Sequence, residues 1–143
     1  MALPAVPNKG RRVRAFPVEA AQTYVEGAVV LLDASGEIII GGADPAVILG
    51  FAAELAVAVE LAPAVTRLVY VAYPDSTFWI SGSANPVAAD VGDQYELGVD
   101  AGVARLDKTA QVNNRFTIEA VDLVRNLYEV SIIGVNRQFQ TTT

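Results

Sequence analysis

The stretch GAVVLLDASGEIII, residues 27–40, decides the fold of this chain, because two apolar runs flank a compact turn signal. Branched side chains such as Val and Ile favour extended backbone, and they dominate both runs. The segment Asp33-Ala34-Ser35-Gly36 between them has the composition of a tight turn. The pattern predicts a β-hairpin, with one strand ending at Asp33 and the next over Glu37–Ile40.

Short β-like runs continue along the chain. We predict a strand start within 90–97 and further strands at 47–52, 66–73, 77–81, 102–107, 115–122 and 127–135. The runs 66–73 and 77–81 flank Pro74-Asp75 and are predicted to pair as a second hairpin. Roughly eight or nine short strands separated by turns are typical of a β-sandwich or a β-barrel. The predicted fold class is all-β: a small β-barrel or β-sandwich of short antiparallel strands, with an extended N-terminal arm and room for one short helix.

Two segments leave local alternatives open. Residues 43–46 could start a short helix, with Asp44 as its N-cap and Pro45 at its first position. The competing interpretation is a strand at 47–52 followed by a helical or irregular stretch through Leu61, and Gly50 with its branched neighbours favours the strand. The small residues 86–89 could form a helical turn.

The alternating run 115–122 predicts which side chains share a face. Alternate residues of a strand point to the same side of a sheet. Phe116, Ile118 and Ala120 are therefore predicted on one face.

Charge divides the chain into two parts. The first fourteen residues, MALPAVPNKGRRVR, carry Lys9, Arg11, Arg12 and Arg14 and no acid, whereas all sixteen acidic residues follow them. Prolines, an asparagine and a glycine without periodicity are typical of an extended or disordered segment. We therefore predict an extended basic arm at 1–14 and a single β-rich domain at 15–143.

The composition removes several kinds of chemistry. The chain has no Cys and no His, so disulfides, thiolate sites and His- or Cys-based triads are excluded. We expect no enzyme activity, no cofactor and no metal. Paired carboxylates for glycoside chemistry remain open, because sixteen acids allow many pairs. Asp90-Val-Gly-Asp93 could suggest calcium, but the rest of the EF-hand pattern is missing and a turn is favoured.

The apolar content points to an interface. Hydrophobic residues make up 52% of the chain and the mean hydropathy is +0.37, which favours an oligomer or an assembly subunit. Tyr73, Phe78 and Trp79 could form a carbohydrate platform, although a place in the core or an interface is favoured. Neither a membrane span nor a signal peptide is expected, since charges and prolines interrupt every long apolar stretch.

The basic arm suits a negatively charged partner. Its four cations fit an acidic protein surface or a phosphate backbone equally well. The acidic body would repel a nucleic acid duplex, and no aromatic residues alternate with the cations to stack on bases. A protein partner is therefore favoured over nucleic acid, with a merely solvated terminus as the other alternative. The candidate docking residues are Lys9, Arg11, Arg12 and Arg14.

The order of segments resembles the small head-decoration, or cement, proteins of tailed bacteriophages. The segments that carry the resemblance are 24–33, 36–38, 43–52, 91–97, 114–118 and 127–135. It implies a barrel or sandwich subunit, commonly a homotrimer, that sits on the outside of an icosahedral capsid. Such proteins clamp neighbouring capsid subunits and use extended termini to do so. The arm and the tail at 136–143 are the candidates for that use.

The resemblance and the residues together predict a virion structural protein. Its expected partners are the major capsid protein and further copies of itself. Its expected location is the capsid exterior, after synthesis in the host cytoplasm. The alternatives are another virion component, such as a head-fibre base or tail subunit, and a carbohydrate-binding module.

Overall fold

The computed structural model describes residues 3–57 and 65–141. The fold is all-β, as predicted: two antiparallel sheets, one a half-barrel. Short 3-10 turns lie at Ala88–Asp90 and Gly134–Asn136, and the described residues form no α-helix. No described helix is long and apolar enough to cross a membrane.

The described part of the chain forms eleven strands in two sheets. The six-stranded sheet has the order β1-β7-β11-β10-β8-β9, and the five-stranded sheet has the order β2-β6-β5-β3-β4. In chain order the strands are β1 Val6–Pro7, β2 Val13–Pro17, β3 Val29–Leu32, β4 Ile38–Ile40, β5 Gly50–Ala52, β6 Thr66–Val71, β7 Phe78–Ile80, β8 Gln94–Asp100, β9 Val103–Asp107, β10 Phe116–Asp122 and β11 Leu127–Ile132.

Isolated bridges join distant strands within each sheet. Val18, just after β2, bridges to Ile38 of β4, and Gly82, just after β7, bridges to Leu106 of β9. Each sheet is therefore curled. The structure combines features of both predicted architectures, the sandwich and the barrel.

Two hydrophobic cores result from this curling. One core lies between the sheets, where the Phe51 ring meets the Phe78 ring edge-on at a centroid distance of 4.9 Å. The other core lies inside the curl of the five-stranded sheet. Neighbouring residues of β3 are buried in different cores, Val29 in the first and Val30 in the second. Burial on both faces explains why this strand is a continuous apolar run without alternation.

The hairpin at 27–40 is confirmed. β3 and β4 pair with Val30 opposite Ile40 and Leu32 opposite Ile38. The Asp33 carboxylate accepts hydrogen bonds from the backbone amides of Ser35 and Glu37, which holds the turn. The strand favoured at 47–52 is also confirmed, over Gly50–Ala52. Of the stretch expected to follow it through Leu61, residues 58–61 lie outside the described residues.

The predicted hairpin of 66–73 with 77–81 is wrong. β6 lies in the five-stranded sheet between β2 and β5, and β7 lies in the other sheet between β1 and β11. The turn at Tyr73–Ser76 transfers the chain from one sheet to the other. The physical reason is that the N-terminal segment occupies both edges at which the two strands could have met: β2 pairs with β6 and β1 pairs with β7.

The predicted shared face of β10 is confirmed in part. Phe116 and Ile118 are buried in the core between the sheets. Ala120 is not on that face, because the register with β11 shifts between Ile118 and Ala120. Such a bulge reverses the alternation beyond it. Val121, opposite Tyr128, packs against the core in its place.

The N-terminal segment is extended, but it is part of the sheets and does not form a separate arm. Ala5 is buried, β1 pairs with β7, and the proposed boundary between residues 14 and 15 falls inside β2. The prolines and glycine correctly indicated extended backbone. Extended backbone beside an open sheet edge gains hydrogen bonds by pairing with it.

The C-terminal tail, which the resemblance made a candidate for reaching neighbouring subunits, is packed on the body through Phe139. The Ile48 amide donates to the Asn136 carbonyl at 2.7 Å, and the Gln138 side chain bonds both backbone groups of Leu32. The Phe139 ring lies 5.6 Å from the Tyr73 ring. The tail therefore covers one end of the second core.

Candidate docking site

The four predicted docking residues lie on a backbone that is fixed to both sheets. The amide of Thr77 donates to the Lys9 carbonyl at 3.0 Å, and the amide of Val71 donates to the Arg12 carbonyl at 3.0 Å. Between them, Gly10 has a φ of +60°, and a Cβ there would lie 2.8 Å from the carbonyl oxygen of Asp75. Glycine is thus required where the chain passes from one sheet to the other.

Arg12 holds this segment to the turn after β6. Its guanidinium forms a two-pronged ion pair with Asp75, with distances of 2.7 and 3.2 Å, and lies 4.7 Å from the centroid of the Tyr73 ring. The hydrogen bond from Arg12 lowers the pKa of Asp75 below its usual value and raises the pKa of Arg12 in return. The positive charge of Arg12 is therefore largely compensated by Asp75 within the molecule.

Arg14 and Arg11 are held by aromatic rings. Arg14 donates to the Tyr73 hydroxyl at 3.1 Å, and its guanidinium carbon lies 5.1 Å from the Phe16 ring and 5.3 Å from the Phe139 ring. Arg11 lies 5.9 Å from the Tyr70 ring. These distances are within the range of cation–π attraction. The rings thus orient the guanidinium groups while the positive charge remains available.

We call these four residues, which follow one another along the edge strand β2 and the segment before it, the basic ridge: Lys9, Arg11, Arg12 and Arg14. Arg11 lies beside Tyr70, whereas Arg12 and Arg14 lie beside Tyr73. Lys9, Arg11 and Arg14 are exposed and Arg12 is partly buried. Beside the ridge, the outer face of β2 and β6 exposes Val13 and Leu68, each at 41%. The arrangement can contact a partner with oriented cations and an adjoining apolar strip.

The aromatic residues considered as a carbohydrate platform are largely core residues. Phe78 is 1% exposed and Tyr73 is 4% exposed, so the interpretation as core residues is confirmed for these two. Trp79 is partly exposed on β7, where the Arg125 guanidinium lies 5.4 Å from its ring centroid. A three-ring platform is not formed.

The turn interpretation of Asp90 and Asp93 is also confirmed. Asp90 is buried, accepts a hydrogen bond from the Val87 amide at 2.8 Å and forms an ion pair with Lys108. The Asp93 amide donates to the Asp90 carbonyl at 3.0 Å, which closes the turn. Within residues 3–57 and 65–141, no three potential metal ligands lie close enough together to hold an ion.

Two carboxylate sites were missed by sequence reasoning. Glu129 on β11 is 5% exposed and accepts hydrogen bonds from the Thr77 hydroxyl and the Asn8 side-chain amide. Its position inside the apolar run LYEVSI was the available signal. Asp44 accepts a hydrogen bond from the Leu97 amide at 2.8 Å, and Glu96, the residue before Leu97, accepts from the amides of Val112 and Asn113. They are far apart in the chain, and no sequence signal connects them.

The fold and this surface define a class: an all-β module with a rigid basic ridge on an acidic body. Comparison with protein-family models and with curated proteins gave no match. Function is therefore proposed from the surface geometry and from the resemblance in the sequence.

Proposed function

We propose that this protein is a virion structural protein that decorates and stabilises an assembled icosahedral phage capsid. It binds the outer surface and bridges neighbouring subunits of the major capsid protein, and it does so as a homotrimer. The observation that carries the proposal is the basic ridge, in which exposed cations are held in place on a chain whose acids all lie outside the ridge segment. The resemblance to decoration proteins supports the same conclusion.

The oriented cations of the basic ridge favour specific docking on a protein partner over a loose encounter that charge alone holds together. Side chains that are already oriented lose little conformational entropy on binding, so more of the contact energy remains as affinity. The exposed Val13 and Leu68 beside the ridge add apolar area to the charged contact. The acidic body disfavours a long phosphate backbone.

Binding to the assembled lattice would stabilise it by mass action. A ligand that binds the assembled shell but not its separated subunits shifts the equilibrium toward assembly. A trimer multiplies this effect, because the second and third contacts become intramolecular. Large apolar side chains exposed on loops provide surface for contacts between copies and with the shell: Val87, Val112, Leu123, Val124 and Val135.

Reversing two charges of the ridge should abolish tight docking. We expect the double variant Arg11→Glu, Arg14→Glu to lose at least about tenfold in affinity for the shell, since rim charges that meet an acidic surface become repulsive. The measurement is co-sedimentation with shells assembled from the major capsid protein of the same genome, at low and high salt. The difference in affinity between the double variant and the parent chain should shrink as the salt concentration rises.

The matched control reverses two arginines elsewhere, Arg105→Glu and Arg125→Glu, with the same change in net charge. Arg105 lies on β9 and Arg125 on the turn after β10. We expect this control to bind nearly as well as the parent chain, with melting curves confirming that both variants are folded. Equal losses in the two double variants would contradict docking through the ridge.

The oligomer and its position on the virion can be tested separately. The chain has a mass of 15.1 kDa, so a homotrimer should sediment at about 45 kDa in sedimentation velocity. Electron micrographs of decorated shells should show added density across the outer surface. A monomer that still decorates shells would refute the trimer alone, whereas density at one vertex or on the tail would favour the alternative virion component.

A further inference from the structure

The strands at the edges of the two sheets differ in whether their outer backbone groups are occupied. The edges are β1 and β9 in the six-stranded sheet and β2 and β4 in the five-stranded sheet. An edge strand presents amides and carbonyls to solvent unless another group pairs with them. On β9 the amides of Ala104 and Leu106 are occupied, because they donate to the carbonyls of Gly27 and Ser81, both at 3.0 Å.

The edges β4 and β1 are also closed to a further strand. On β4 the Ile40 amide donates to the side-chain oxygen of Gln22 at 3.0 Å, and the Ile38 carbonyl accepts from the Glu19 amide at 3.1 Å. β1 has only two residues, and one of them, Pro7, has no amide hydrogen. Neither strand therefore offers a run of free backbone groups.

β2 is the edge strand whose outer backbone groups are open. The amide of Val71 donates to the carbonyl of Arg12 at 3.0 Å, which fixes which residues of this antiparallel pair direct their backbone groups toward β6. Val13 and Ala15 direct their amides and carbonyls the other way. Both residues are exposed, and these outward groups have no hydrogen-bond partner within the part of the chain that the structure describes.

Cations flank this open edge on both faces of the sheet. Arg11 lies over the ring of Tyr70, which is the cross-strand partner of Val13 and so shares its face. Arg14, next to Val13 in the strand, lies on the opposite face and donates to the Tyr73 hydroxyl at 3.1 Å. A strand added beside β2 would therefore pass between two oriented guanidinium groups.

We propose that the open edge at residues 13–15 binds an extended acidic segment of a partner protein as an additional strand. The outward amides and carbonyls of Val13 and Ala15 supply the backbone pairing, which gives affinity in this mode of recognition. Carboxylates of the added segment meet Arg11 and Arg14 in charge-assisted hydrogen bonds. This inference rests on the proposed function, because it names the kind of segment that the basic ridge would bind.

Two other occupants fit this edge less well. A second copy of β2 would bring its own arginines against Arg11 and Arg14, and like charges on paired strands are destabilising. A phosphate backbone carries acceptors for the two outward amides but has no N–H groups at strand spacing for the two outward carbonyls. An acidic polypeptide satisfies both the charges and the backbone groups.

The first test uses a peptide of about seven residues in which glutamate and threonine alternate. In proton–nitrogen NMR spectra, we expect it to move the amide signals of Val13 and Ala15 downfield in a saturable manner, because these amides donate to peptide carbonyls. The same peptide with lysine in place of glutamate should leave them unchanged. If the acidic peptide moves only the guanidinium signals of Arg11 and Arg14, the contact is purely electrostatic and strand addition is refuted.

The variant Ala15→Pro blocks the edge without changing any charge. The proline removes one outward donor, and Pro17, which has the same orientation in β2, shows that the strand accommodates proline on this side. We expect at least about tenfold weaker binding of the acidic peptide. The control Ala15→Thr keeps the amide and should bind like the parent chain.

Melting curves establish that both variants are folded, and Val13→Pro provides the same block one outward position earlier if Ala15→Pro does not fold. Equal affinity of the peptide for a folded proline variant and for Ala15→Thr would contradict strand addition.

Co-sedimentation with shells separates this inference from the proposed function. If Ala15→Pro binds shells as well as the parent chain, while the double variant Arg11→Glu, Arg14→Glu does not, docking through the ridge stands and strand addition is refuted. If the parent chain does not bind shells but the acidic peptide still moves the amide signals of Val13 and Ala15, strand addition is supported and the proposed function fails.

Discussion

Replacing Gly50 by alanine is expected to prevent the native fold from forming. Gly50 lies on β5, in the middle of the five-stranded sheet, where β6 passes very close. An alanine Cβ would overlap the carbonyl oxygen of Tyr70 and would lie 2.9 Å from its carbonyl carbon and 3.0 Å from the Cα of Val71. These are backbone atoms of a paired strand, so relief requires β5 and β6 to separate.

Separating these strands would expose both cores, because β5 contributes Phe51 to one and Ala52 to the other. We expect a loss of more than about 4 kcal/mol, comparable with the whole net stability of a small domain. Urea unfolding followed by far-UV circular dichroism measures it. A Gly50→Ala chain with a cooperative transition near that of the parent would show that the sheet can absorb the methyl group.

The matched control for this variant is Gly98→Ala on β8, also a strand glycine. Its added Cβ would lie 3.4 Å from the Cβ of Asp107, an ordinary contact. Alanine in an unobstructed strand costs little and reduces the entropy of the unfolded chain. We expect a change within about 1 kcal/mol.

Replacing Glu129 by alanine is expected to detach the N-terminal strand and lower the free energy of unfolding by about 2–3 kcal/mol. Glu129 is buried on β11 and joins β7 and the residue after β1 through Thr77 and Asn8. Removing the carboxylate leaves the Thr77 hydroxyl without its acceptor inside the protein. β1 has only two residues and depends on such side-chain bonds to stay paired.

The conservative variant Glu129→Gln separates the hydrogen bonds from general packing. Its side-chain oxygen can still accept from both partners, so we expect most of the lost stability to return. Urea unfolding gives the free energies, and hydrogen exchange of the Asn8 amide, which donates to the Thr77 carbonyl, reports on β1. Loss of stability without faster exchange at Asn8 would contradict the anchoring role.

The local features of the fold were predictable because neighbouring residues decide them. The hairpin at 27–40 depends on a turn whose aspartate bonds amides two and four residues away, and such signals lie within one window of sequence. The strands at 66–73, 102–107 and 127–135 were found for the same reason. The basic ridge was also visible, since its four cations lie within six positions.

The amino-acid sequence by itself determined the all-β class, most strand positions and the separation of basic from acidic residues, because these follow from side-chain shape and charge at each position. Only the tertiary structure decided that β6 and β7 belong to different sheets, that the N-terminal segment fills the edges beside them, and that Asp44 binds the Leu97 amide. The physical reason is that backbone hydrogen bonding at a strand edge is nearly independent of residue type. Which strands pair with each other is therefore decided by the burial of apolar side chains in both cores.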